Sequence, residues 1–126
     1  MKITVLAFVM ALAFGCICCA ETTEEMVSSC RAISTVKVVG GQANLPQDFA
    51  SGICWGAFGS IQKAITTVDP NTLKHFFDVC APARSTRTQL IQIFLVYAQA
   101  HPEEYQKDYF VVALTSMQKA FPCPGS

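Results

Sequence analysis

Residues 48–68 read DFASGICWGAFGSIQKAITTV. Phe49, Ile53, Ala57, Ile61, Ile65 and Val68 recur at steps of four, four, four, four and three, the spacing that lines one face of an α-helix. Asp48 stands where an N-cap side chain would accept the first free amides. Gly52, Gly56 and Gly59 each cost about 1 kcal/mol of helix propensity relative to Ala. Their spacing suggests a small-residue line along which a second helix comes close. A phosphate-cradling loop would need a preceding strand and a lysine at fixed spacing, and both are missing.

Downstream, Asp69-Pro70-Asn71 ends this helix. Residues 71–84 are a connection with a short apolar piece, Leu73–Val79, read as one or two helical turns. Pro82 separates it from the next helix, which Thr86 and Gln89 open as a capping box. Leu90 to Ala98 is apolar nearly all round, so this helix is central or contributes to an interface. His101-Pro102 stops it, because a residue before Pro avoids the α region. Pro102, Glu103 and Glu104 then suit the first turn of a further helix, with His101 as its cap. Phe110, Ala113, Leu114, Met117 and Phe121 give that helix a buried face, Lys119 sits in its last turn, and Pro122 ends it. Upstream, Thr22 and Glu25 form another capping box, followed by Met26, Cys30 and Ile33 at helical spacing. This first helix, reaching about Val38, frays along the β-branched run 33–36 and breaks at Gly40-Gly41.

The expected architecture is therefore all-α: a small bundle of four main helices arranged as two antiparallel hairpins. No internal repeat or linker interrupts residues 21–126, which read as a single domain. Residues 1–20 have a different character. Lys2 is followed by a charge-free, mostly apolar run from Ile3 to Ala20 that ends in small residues. This is the layout of a secretory signal peptide, with cleavage after Ala20. A membrane anchor is the competing reading, but acidic Glu21, Glu24 and Glu25 follow where a stop-transfer signal would be basic. Phe14-Gly15-Cys16 offers a lipoprotein attachment at Cys16 as a minor alternative.

Cleavage would leave Cys30, Cys54, Cys80 and Cys123. An even number of cysteines in an exported chain implies disulfides, with three connectivities open. Zinc sites use closely spaced ligand pairs, which these four do not form. If the first two helices make a hairpin, Cys30 and Cys54 sit at similar heights. A second hairpin puts Cys80 and Cys123 together at its open end. The expected pairs are thus Cys30–Cys54 and Cys80–Cys123, each adding roughly 2–4 kcal/mol; the other pairings stay open wherever the hairpins do not form.

Charge is balanced, with nine basic and nine acidic side chains in the full chain. That leaves no electrostatic footprint for nucleic acid and no polybasic run for a membrane surface. No cofactor or metal site is expected. His75 lies in a connection and is expected to be exposed. No serine sits at a nucleophile elbow, and oxidised cysteines supply no thiolate. An enzyme is not expected. Of the aromatic residues, most belong in the core. Trp55 and Phe58 lie off the main stripe of the second helix, on a face suited to a dimer or a partner.

Gly52-Ile53-Cys54-Trp55-Gly56 looks like a Gly-Tyr-Cys-x-Gly helix motif with Ile53 in place of Tyr. Cys80-Ala81-Pro82 matches Cys-x-Pro, and Gln89-Leu90, His101-Pro102 and Ala120-Phe121-Pro122-Cys123 follow in order. Over residues 48–123 this series resembles the Rap/Tai immunity proteins of bacterial type VI secretion. The resemblance implies a periplasmic, often homodimeric helical protein that binds a cognate peptidoglycan amidase effector and occludes its active site. Contact residues are then expected on the connections 69–84 and 100–105, which carry His75, Phe76, Arg84, His101 and Glu103, alongside Trp55 and Phe58. The alternative is a periplasmic stress or chaperone-like helical protein with no toxin partner.

Overall fold

The computed structural model describes residues 21–125. The leader expected at 1–20, with Cys16, lies outside them. Four α-helices dominate: α1 (Thr23–Cys30), α2 (Phe49–Thr66), α3 (Arg87–Ala100) and α4 (Tyr109–Ala120). Two strands, β1 (Val38–Val39) and β2 (Gln42–Ala43), pair antiparallel, so the fold is mostly helical rather than wholly so. Gly40 and Gly41 turn this hairpin with φ of 59° and 78°. A two-residue turn of that hand requires positive φ at both positions, which only residues such as glycine adopt cheaply. The Gly-Gly pair is therefore a hairpin turn and not merely a helix breaker.

Both capping boxes form. Thr22 accepts from the Glu25 amide while the Glu25 carboxylate accepts from the Thr22 amide; Thr86 and Gln89 repeat the arrangement at the start of α3. After Cys30 the first helix tightens into a 3-10 turn, Arg31–Thr35, where the β-branched run begins. Asp48 caps α2 by accepting from the Ser51 amide at 2.9 Å.

The buried face of α2 is rotated from the expected stripe. Cys54, Phe58, Ile61 and Ile65 are in the core, whereas Phe49 is exposed and Ile53 and Ala57 are only half-buried. Phe58 meets Phe94 of α3 with ring centroids 5.3 Å apart. Among the described residues no helix comes close along Gly52 and Gly56, where an added Cβ would meet nothing within 4 Å. Only Gly59 is approached, by the guanidinium of Arg87.

Helix α3 is central. It packs on α1, α2 and α4, and buries Leu90, Ile91, Phe94 and Ala98. The stretch Leu73–Val79 is not helical. Leu73 and Asp78 both take left-handed φ, 57° and 51°, which interrupts any helical run.

The last helix starts later than its sequence suggests. Pro102–Glu104 is a single 3-10 turn, and α4 begins only at Tyr109, capped by Asp108, whose carboxylate accepts from the Phe110 amide at 2.8 Å. The reason is tertiary. The free first-turn amides of α1 need acceptors, and residues 105–108 provide them. Thr23 donates to the Lys107 carbonyl at 2.9 Å and Glu24 to that of Tyr105 at 3.0 Å. His101 caps the end of α3 instead of starting a helix, since its Nδ1 lies 2.8 Å from the Tyr97 carbonyl. A carbonyl only accepts, so Nδ1 donates.

Two disulfides join Cys30 to Cys54 and Cys80 to Cys123. They are the pairs that the hairpin argument selects. The first is wholly buried; the second is half-buried.

Candidate partner-binding surface

The connection between α2 and α3 is built as a braced loop. Its base is tied to α2, where the Phe76 amide donates to the Thr67 carbonyl at 3.3 Å and His75 Nδ1 donates to the Ile65 carbonyl at 3.1 Å. Its far end is tied to α4. Gln118 donates to the Phe77 carbonyl at 3.0 Å, the Cys80 amide donates to Phe121 at 2.9 Å, and the Cys80–Cys123 bond lies beside them. The tip closes on itself. Asp69 donates its amide to Lys74 and accepts from that of Leu73, both at 2.8 Å, while its carboxylate takes the Asn71 amide. Hydrogen bonds from Asn71, its backbone amide first, and from Thr72 hold the Asp69 carboxyl below its ordinary range.

Among the exposed side chains of this frame are two large apolar ones. Leu73 is 79% exposed and Phe76 60%. A leucine in the left-handed region is costly, and such strain persists only where the surroundings over-determine it, most often at functional positions.

A second feature is set between α3 and α4. The outer face of α3 and the end of α4 form a groove of about 880 Å³. Ile93, Val96 and Tyr97 line it from α3, and Ala120 and Phe121 from α4. Val96 is 68% exposed. Arg84 and Lys119 stand among the lining residues, and no carboxylate does. The Lys119 ammonium lies 5.0 Å from the centre of the Tyr97 ring. His101 stacks on the same ring with centroids 4.1 Å apart. Among the described residues the one ion pair is Lys107–Glu104, so no described carboxylate pairs with Arg84 or Lys119.

The expected contact residues therefore separate. Arg84 and His101 share the groove. His75 and Phe76 belong to the braced loop, with His75 half-buried rather than free. Glu103 is exposed on the turn after α3. Trp55 is half-buried, with the Arg87 guanidinium 4.4 Å from its ring. Phe58 has no exposed surface to offer a partner. Residue-by-residue reading passed over Leu73, Val96 and Lys119. The signal for Val96 was present in the all-round apolarity of α3; the signal for Leu73 is its backbone conformation, which has no sequence signature.

Among the described residues no helix is long and apolar enough to cross a membrane. No curated protein and no solved structure matches the chain. The model of the Rap1a immunity proteins matches residues 22–123, a span that holds both disulfides, the braced loop and the groove. The chain belongs to the Rap1a immunity protein family.

Proposed function

We propose that this protein is exported, with residues 1–20 as its signal peptide, and acts in the periplasm as an immunity protein. Its target is a peptidoglycan amidase delivered by the type VI secretion of neighbouring cells. It blocks that enzyme sterically and has no turnover of its own. Assembly as a homodimer is part of the same reading.

The observation that carries the proposal is the braced loop at 67–80 within an immunity-protein family. An inhibitor that plugs an active site gains affinity when its plug is already rigid, because little entropy is lost on binding. The tip is closed by its own backbone and fastened at both ends, and it offers Leu73 and Phe76 to a cleft. Two disulfides suit an oxidising compartment.

The test is direct. Mature protein, residues 21–126, is mixed with an amidase encoded beside its gene. Co-purification and loss of peptidoglycan hydrolysis at near-equimolar ratio are expected. An amidase that keeps full activity, together with broad protection of unfolded clients from aggregation, would favour the chaperone-like alternative.

A further inference from the structure

The α3–α4 groove combines three properties that together select an occupant. Its lining is apolar, through Ile93, Val96, Tyr97 and Phe121. Its charges are of one sign, Arg84 and Lys119, with no carboxylate beside them. Its lining residues on α3 run from Gln89 to Ala100, twelve residues and hence about 18 Å of helix.

A second copy of this chain fits poorly. A two-fold interface brings each patch against itself, setting Arg84 and Lys119 against their own counterparts with no acid to separate them, and like charges so placed are costly. A lipid surface fits poorly too. Two cations are fewer than the clusters that hold anionic membranes, and the apolar residues line a concavity instead of a projecting edge.

We infer that the groove receives an amphipathic segment of a partner protein, apolar along one side and bearing Asp or Glu at its edges. The apolar side covers Ile93, Val96 and Phe121, and the carboxylates meet Arg84 and Lys119. A segment laid beside a helix in this way is a recurring recognition mode. The cations then act mainly on specificity and association rate, while the apolar contacts hold the complex. The inference deepens the proposed function, in which the partner is a toxin, but it concerns only the chemistry of the segment that is bound.

The experiment is a selection of displayed random 16-residue peptides on the mature, oxidised protein. Enriched sequences are expected to combine Leu, Ile, Phe or Val at helical spacing with Asp or Glu. Their binding should shift the NMR signals of Ile93 and Val96, and it should weaken with added salt. Charge reversal by Arg84→Glu with Lys119→Glu should lower affinity at least tenfold. It should also confer binding of peptides whose acids are replaced by lysine, an exchange that a misfolded variant would not produce. Val96→Asp should abolish binding, with thermal melting confirming that each variant folds. Enrichment without acidic residues, signal changes elsewhere, no enrichment, or self-association abolished by Val96→Asp would each overturn the inference. The two readings fail separately: an inhibited amidase with no acidic peptides selected removes only the groove, and acidic peptides without amidase inhibition remove only the toxin.

Discussion

The guanidinium of Arg87 lies 4.4 Å from the centre of the Trp55 ring, and its Nη1 donates to the Trp55 carbonyl at 3.3 Å. The first residue of α3 is thereby fastened across α2. A Cβ at Gly59 would stand 3.0 Å from the Arg87 Cζ, so the glycine makes room for the clamp. Trp55 is the sole tryptophan, and its fluorescence reports on this contact. Arg87→Ala is expected to red-shift the emission and to destabilise the fold by about 1 kcal/mol, the scale of a partly buried cation–π contact. Gly56→Ala faces open space and should stabilise by about 1 kcal/mol through helix propensity. Gly59→Ala should gain less and also red-shift Trp55. Identical fluorescence and stability in the two alanine variants would refute the clamp.

The disulfides should respond differently to reductant. Their sequence separations are 24 and 43, and chain entropy alone assigns each about 3–4 kcal/mol. Access differs more than entropy, because Cys30 and Cys54 are wholly buried while Cys80 and Cys123 are half-buried. Under native conditions dithiothreitol should open Cys80–Cys123 first, as read by alkylation and mass spectrometry. Removal of Cys30 and Cys54 as an alanine pair should nonetheless cost more stability than removal of the other pair, since buried packing is lost with the bond. Simultaneous reduction of both bonds would contradict the difference in access.

In the proposed function Leu73 sets stability against binding. Leu73→Gly relieves a left-handed leucine and should raise the denaturation midpoint, by up to about 1 kcal/mol in free energy. The same change, and Phe76→Ala, should weaken the proposed amidase complex tenfold or more while leaving the fold intact. Phe58→Ala is the contrast: a fully buried ring meeting Phe94 should cost about 3–5 kcal/mol. Titration calorimetry beside urea denaturation separates the two kinds of effect. Unchanged amidase affinity in Leu73→Gly would remove the loop from the interface.

Local signals were readable from sequence, and non-local ones were not. Thr22 with Glu25, and Thr86 with Gln89, each lie three residues apart and satisfy one another wherever a helix starts. The two disulfides followed from helix lengths and turns. The face of α2 did not, because Phe49–Ile53–Ala57 and Cys54–Phe58 are both apolar lines, and tertiary partners, Phe94 for Phe58 and Cys30 for Cys54, decide between them. The late start of α4 depends on carbonyls of residues 105–108 serving amides more than eighty positions earlier. The groove draws on Arg84, Val96 and Lys119 from three separate elements, so no single stretch announces it.

Acid should destabilise the protein. Hydrogen bonds from the Thr22 backbone amide hold the Glu25 carboxyl below its ordinary value, those from Ser51 do so for Asp48, and those from Asn71 for Asp69. A lowered folded pKa contributes stability above the unfolded value, and the contribution is lost as pH falls through the folded one. Glu21 works in the opposite sense, raised by burial and then by Glu25, so its ionisation disfavours the fold. Three groups against one give a urea midpoint that is flat near neutrality and falls below about pH 4, where free carboxylates titrate. A variant carrying Glu25→Gln, Asp48→Asn and Asp69→Asn should start lower and respond less to acid. A midpoint that rises toward pH 3 would show that the caps do not act in this way.

Among the described residues each cysteine is bonded to its neighbour in chain order, Cys30 to Cys54 and Cys80 to Cys123. Any machine that feeds the polypeptide out N-terminus first therefore releases thiols in the sequence in which they must be joined. An oxidant that links each new pair as it emerges makes the native set directly. Reshuffling, which takes seconds to hours, is then unnecessary, and oxidative maturation can run without an isomerase.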